Sequence, residues 1–164
     1  MRELPSFSPF SPEQASLESC YRAALYRVFP NTGASLDLRI GQSCAALETL
    51  FSGTPSDFSW AILTACNPAS RLLPEEENAS RQRQLGQRLS EWGYSTLPAE
   101  NLADAGENKD WPPEPAFFVI SLPLPRALEL AADFGQNAFV CGGGEGENGK
   151  PDWRVPRLCW VARY

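Results

Sequence analysis

No histidine occurs anywhere in the 164 residues. That excludes Ser-His-Asp and Cys-His nucleophilic catalysis, and with them most catalytic zinc sites, which rely on imidazole. Lysine is scarce too: twelve of the fourteen basic residues are arginine, against twenty acidic ones, and the formal charge is −6. An acidic chain lacks general affinity for nucleic acid or an anionic membrane surface, so nucleic acid is not an expected partner. No run approaches the ~18 apolar residues of a membrane span. The N-terminus, Met-Arg-Glu-Leu-Pro-Ser-Phe-Ser-Pro-Phe, lacks the apolar stretch of a signal peptide. Five cysteines, at 20, 44, 66, 141 and 159, are odd in number and nowhere spaced as CxxC. Reduced thiols and a cytoplasmic location are therefore expected. Acidic residues are not clustered as metal ligands would be, so no metal and no cofactor is expected.

What remains is an ordinary globular composition, with 43% hydrophobic and 21% charged residues, on a chain long enough for one domain with a sizeable core. Residues 1–10 read as a flexible arm and residues 11–164 as a single α/β domain. Ser11-Pro12-Glu13-Gln14 has the form of a capping box, and Leu17, Cys20, Tyr21, Ala24, Leu25 and Val28 follow at helical spacing, which predicts a helix to about Phe29. Leu36, Leu38 and Ile40 alternate with charges as a half-buried strand does. Leu47, Leu50 and Phe51 suit a short helix. Residues 58–65 are almost wholly apolar and predict a central strand covered on both faces.

Pro74 and three glutamates open the next helix, where negative charge suits the N-terminal end of the dipole; Leu85, Leu89 and Trp92 are its inward stripe. Residues 95–97 fit a short strand. Residues 98–114 are polar and rich in turn formers, so they read as a long loop. Ala116–Leu122 predicts another strand, Pro125 starts a helix that Gly135 ends, and two closing strands, at 137–141 and 155–162, are joined only by a loop. The expected architecture is a mixed sheet of about five strands flanked by helices, with a C-terminal antiparallel hairpin.

Four short motifs occur in order: Thr64-Ala65-Cys66-Asn67-Pro68-x-Ser70, then Glu77-Asn78-x-x-Arg81 leading to Leu85, then Trp111-x-x-Glu114, then Phe134-Gly135-Gln136-Asn137-Ala138. Together they resemble the bacterial DUF3293 family over roughly residues 20–162. That family is of unknown function, so the resemblance implies a relative and no reaction. Cys66 departs from the family pattern, which more often has an aromatic residue there, and this argues against a nucleophilic role.

The same residues make the candidate site. Asn67, Ser70 and Arg71 follow the predicted central strand, at the edge where open α/β sheets bind ligands; equally, Asn-Pro initiates turns. Asn78 and Arg81 share a face of the next helix. Arg81 could hold an anionic group or bridge to Glu114. Glu114 enters an apolar strand, which suits either a general acid or base or a partner for Arg81. Gln136 and Asn137 could read a ligand's hydrogen bonds or satisfy backbone groups. Gly144 to Lys150 matches the first seven positions of a phosphate loop, but Pro151 replaces the required Ser or Thr and no helix follows, so it reads as a hairpin loop.

Two functions fit these features. One is binding of a small polar or anionic ligand by Asn67, Ser70, Asn78, Arg81, Glu114, Gln136 and Asn137, with residues 98–113 as a lid and Glu114 as the only catalytic candidate. The other is a protein-interaction module in which this cluster is structural and Trp111 and Trp153 meet a partner.

Overall fold

Four residues in the middle of the chain, Trp60–Leu63, are all buried and form strand β3. In the computed structural model, which describes residues 12–103, 111–144 and 152–161, this strand lies inside a seven-stranded sheet. The elements in chain order are α1 (Pro12–Ala23), β1 (Leu25–Val28), β2 (Leu36–Leu38), α2 (Ala45–Leu50), β3, α3 (Glu75–Glu91), β4 (Thr96–Leu102), β5 (Glu114–Ile120), α4 (Leu124–Asp133), β6 (Ala138–Gly142) and β7 (Arg157–Trp160). The spatial order is β2-β1-β4-β5-β3-β6-β7, and each neighbouring pair is antiparallel.

The sheet thus differs from the mixed, five-stranded one expected, although the α/β class stands. Helical crossovers usually join parallel neighbours. Here α3 carries the chain from β3 to β4 with β5 inserted between them, and α4 carries it from β5 to β6 with β3 inserted between them. Two interlocked crossovers of this kind make a β-α-β-β-α-β unit of ferredoxin-like order over residues 60–142. The β1–β2 hairpin extends it on the β4 edge, and β7 extends it on the β6 edge. The expected C-terminal hairpin is present, with Ala138 opposite Trp160 and Cys141 opposite Arg157.

One added strand and the length of another come from segments whose local signals pointed elsewhere. Leu25 and Val28 continue the helical spacing of α1, yet α1 stops at Ala23 and Leu25–Val28 pairs with both β2 and β4. Alternating burial along β1 serves the sheet better than one more helical turn. Residues 98–102, expected as loop or lid, belong to β4. Pro98 lacks a donor, but its carbonyl accepts the Phe29 N–H at 2.8 Å, so the ladder tolerates it.

Strand alternation divides the core into two layers. Ala61, Leu63, Val119 and Phe139 face α3 and α4, which supply Leu85, Leu89, Leu130 and Phe134. Trp60, Ile62, Phe118 and Val140 face the other way, toward Leu47 and Phe51 of the α2 region, with Tyr21 of α1 packed alongside. Trp92 was expected on the inward stripe of α3, but it caps the helix and is 37% exposed, under the Arg126 guanidinium. Trp153, expected to be exposed, is buried, and its carbonyl accepts the Trp60 indole N–H at 2.8 Å. Cys44 and Cys66 are free thiols, whereas Cys141 and Cys159, expected to be reduced, are joined as a disulfide between β6 and β7. No helix among the described residues is long and apolar enough to cross a membrane. The arm at 1–10, the loop segment 104–110 and the glycine-rich loop at 145–151 lie outside the described residues.

Candidate functional site

Beyond Leu63 the chain leaves the sheet and makes a tight turn. Three non-glycine residues there have positive φ: Asn67 at 47°, Ala69 at 55° and Ser70 at 57°. Such a conformation costs of order 1–2 kcal/mol per residue and needs outside support. The support is a dense set of hydrogen bonds. The Asn67 backbone N–H donates to Asn78 Oδ1 at 2.9 Å, and Asn78 Nδ2 donates back to Asn67 Oδ1 at 2.8 Å. Asn67 Oδ1 also accepts the Leu73 N–H, and Asn67 Nδ2 donates to Glu114 Oε1 at 3.0 Å. From the α4–β6 side, Gly135 C=O accepts the Ala69 N–H at 2.8 Å, Gln136 Nε2 donates to Cys66 C=O at 3.0 Å and Asn137 Nδ2 donates to Ser70 Oγ at 3.0 Å.

Arg81 lies behind this turn. Its Nε donates to Ala65 C=O at 2.7 Å and its Nη2 to Phe134 C=O at 2.6 Å. Rather than pairing with Glu114, the guanidinium ties the end of β3 to the end of α4. It satisfies the Phe134 carbonyl, left over where α4 ends.

In front of the turn, between α1 and the second face of the sheet, lies a cavity of about 270 Å³. Leu17 and Tyr21 of α1 roof it, and Ile62, Val140 and Leu158 form its apolar floor. One end is polar: Asn67, Ser70, Asn101, Trp111, Glu114 and Gln136. Four of the residues expected from sequence therefore meet at the cavity, namely Asn67, Ser70, Glu114 and Gln136. Asn78, Arg81 and Asn137 do not line it; they hold the turn that does. The anionic ligand expected on Arg81 thus lacks that anchor, and no Lys or Arg lines the cavity among the described residues.

Tyr21, Tyr26, Asn101 and Trp111 had not been assigned to the site. Tyr21 and Tyr26 are five apart, which on a single helix places them on different faces. The break at Ala24 brings them together instead, and the Tyr26 hydroxyl donates to Tyr21 C=O at 2.9 Å. Register places Asn101 opposite both Tyr26 and Glu114, so the three side chains form a row on one face of β1, β4 and β5. The β4–β5 register is the signal that would have revealed Asn101, and the polar character of residues 98–114 hid it.

Glu114 is the chemical centre of the polar end. Its Oε1 accepts from Asn67 Nδ2 and, at 2.8 Å, from Trp111 Nε1. Burial pushes its carboxyl above the ordinary carboxylate range, and those two hydrogen bonds oppose the shift without cancelling it. A carboxyl of this kind can exchange a proton with a bound molecule. The Tyr26 phenol is pushed up by burial and then by the nearby Tyr21 and Glu114. The Cys66 thiol is also raised, first by burial, and its sulfur faces Gln82 and Pro115 C=O; it stays protonated and is a poor nucleophile. No group of three or more metal-ligating side chains occurs among the described residues.

The fold and cavity define a ferredoxin-like α/β domain with an enlarged sheet and a small pocket under its first helix. Residues 63–139 match the family model described as Protein of unknown function (DUF3293), the family that the four motifs resemble. The matched segment runs from the end of β3 into β6 and contains the whole polar end of the cavity; Leu17, Tyr21 and Tyr26 lie outside it. No curated protein and no solved structure matches the chain.

Proposed function

We propose that this domain binds a small molecule in the cavity beneath α1, with its polar group against Glu114 and its body against Tyr21, Ile62 and Val140. The observation that carries this reading is the polar end itself. Glu114 Oε1 is held by Asn67 and Trp111, while Oε2 has no hydrogen-bond partner among the described residues. Concave, mostly apolar sites with a few convergent polar groups are the usual form of small-molecule sites, commonly of about 300–1,000 Å³. A volume of about 270 Å³ suits a ligand at the small end of that range. The strained turn at Asn67–Ser70 agrees with such a role, because strain held by surrounding structure tends to gather at functional sites.

Fragments of varied charge, followed by melting temperature and by the Trp111 indole N–H resonance, test this reading. A ligand that binds the native state raises the melting temperature. At least one fragment is expected to do so for the wild type and to shift the Trp111 signal. Leu17→Trp, which fills the cavity from α1, is expected to abolish both effects. If no fragment of any charge class perturbs the wild type, the cavity is not a ligand site.

The second reading, a protein-interaction module, has support in the closed Asn67–Asn78 network, in Arg81, and in the exposed Leu72 and Trp92. The buried state of Trp153 counts against it.

A further inference from the structure

We infer that the cavity is selective for a small organic cation, an amine, amidine or guanidine head on an apolar body, held between Glu114 and Asn101. The inference rests on the cavity being a ligand site and adds the class of ligand. Glu114 and Asn101 are directly opposite each other on β5 and β4, so their side chains stand side by side. Asn101 Oδ1 is buried and has no hydrogen-bond partner among the described residues. Glu114 Oε2 has none among the described residues either, and both residues line the cavity.

A buried acceptor without a donor costs stability, and a small turn of the Asn101 side chain would let a ligand bearing several N–H groups remove that cost while it also bonds Glu114 Oε2. The surroundings agree. The lining includes the rings of Tyr21, Tyr26 and Trp111, whose faces attract cations. Four of the N–H and O–H donors at this end are engaged within the protein: Asn67 Nδ2 and Trp111 Nε1 on Glu114, Tyr26 Oη on Tyr21 C=O, and Gln136 Nε2 on Cys66 C=O. An anion would meet few free donors and one carboxylate. The net charge of −6 also favours approach of a cation over an anion.

Three probes of nearly equal shape separate the possibilities: 2-phenylethylamine, 2-phenylethanol and phenylacetate. Their affinities for the full-length wild type are measured by titration calorimetry, with the Trp111 indole N–H resonance locating the site. The expected order is amine, then alcohol, then phenylacetate, with about tenfold or more between amine and alcohol, as a charge-assisted hydrogen bond supplies. Glu114→Gln keeps the shape of the side chain and is expected to reduce amine affinity about tenfold while changing alcohol affinity less than about threefold. Asn101→Leu is the second variant, expected to weaken the amine selectively. If the alcohol or phenylacetate binds at Trp111 as tightly as the amine, the cation inference fails and the ligand-site reading stands. If none of the three binds, and the wider fragment set also fails, both fall.

Discussion

Asn67 and Asn78 grip each other twice, backbone N–H to Oδ1 at 2.9 Å and Nδ2 to Oδ1 at 2.8 Å, across the gap between the β3 turn and α3. The first bond supports a residue at φ 47°. Asn78→Ala removes both bonds, leaving the Asn67 N–H without its acceptor and Asn67 Oδ1 with the Leu73 N–H alone. Each such loss costs about 1–3 kcal/mol, so the variant is expected to lose about 2–4 kcal/mol in urea unfolding with an unchanged slope. Asn78→Asp, which keeps an acceptor and loses the donor, is expected to fall between. A change below about 0.5 kcal/mol in Asn78→Ala would show that the clasp does not support the turn.

Arg81 is predicted to be a structural residue. Arg81→Ala frees two carbonyls, Ala65 and Phe134, from charge-assisted bonds of 2.7 and 2.6 Å, at an expected cost of about 2–4 kcal/mol. Arg81→Lys is expected to recover less than half, because one ammonium cannot reproduce the two-pronged fork. Where the variant remains folded, binding of any cavity ligand is expected to stay within about threefold of wild type. A selective loss of binding without loss of stability would return Arg81 to the site.

Glu114 sets a pH dependence whose sign is fixed by burial. The folded chain holds this proton to higher pH than the unfolded chain does, so the folded state binds more protons between the ordinary carboxylate value and the raised one. Stability from this group is therefore full below the ordinary value and is lost as pH rises through the raised one. Tyr26 and Cys66, which both sense the Glu114 carboxylate, are pushed up and stay neutral across that interval. Glu114→Gln has no proton to lose. Its stability relative to wild type is expected to rise with pH over the acid to neutral range, as measured by urea unfolding at a series of pH values. The opposite slope would mean that the hydrogen bonds from Asn67 and Trp111 outweigh burial.

Two glycines separate backbone strain from close approach. Gly33 and Gly143 both have positive φ, at 88° and 78°. A Cβ on Gly33 meets nothing within 4 Å, whereas one on Gly143 runs into the Phe58 carbonyl oxygen, a backbone atom that cannot step aside. Gly33→Ala is expected to cost about 1–2 kcal/mol. Gly143→Ala is expected to cost clearly more and to lower the melting temperature further. Equal losses would mean that the β6 end yields at Gly143.

Asn67, Glu114 and Gln136 were legible because polar side chains sit at the ends of apolar runs, and Asn78 because it shares a helix face with Arg81. Their division into cavity wall and scaffold was not. Arg81 looks like an anion anchor until its two carbonyl partners are known, and helical spacing in Leu25 and Val28 masks a strand that pairs with β2 and β4.

By itself, the sequence determined the absence of imidazole chemistry, the α/β class, the buried strand at Trp60–Leu63 and the polar turn after it, because each follows from residue type or local periodicity. The antiparallel insertion of β5 between β3 and β4 was decided by tertiary structure alone. So were the meeting of Tyr26, Asn101 and Glu114 in one row and the space beneath α1. These depend on strand register and on which faces are covered, and long-range pairing sets both.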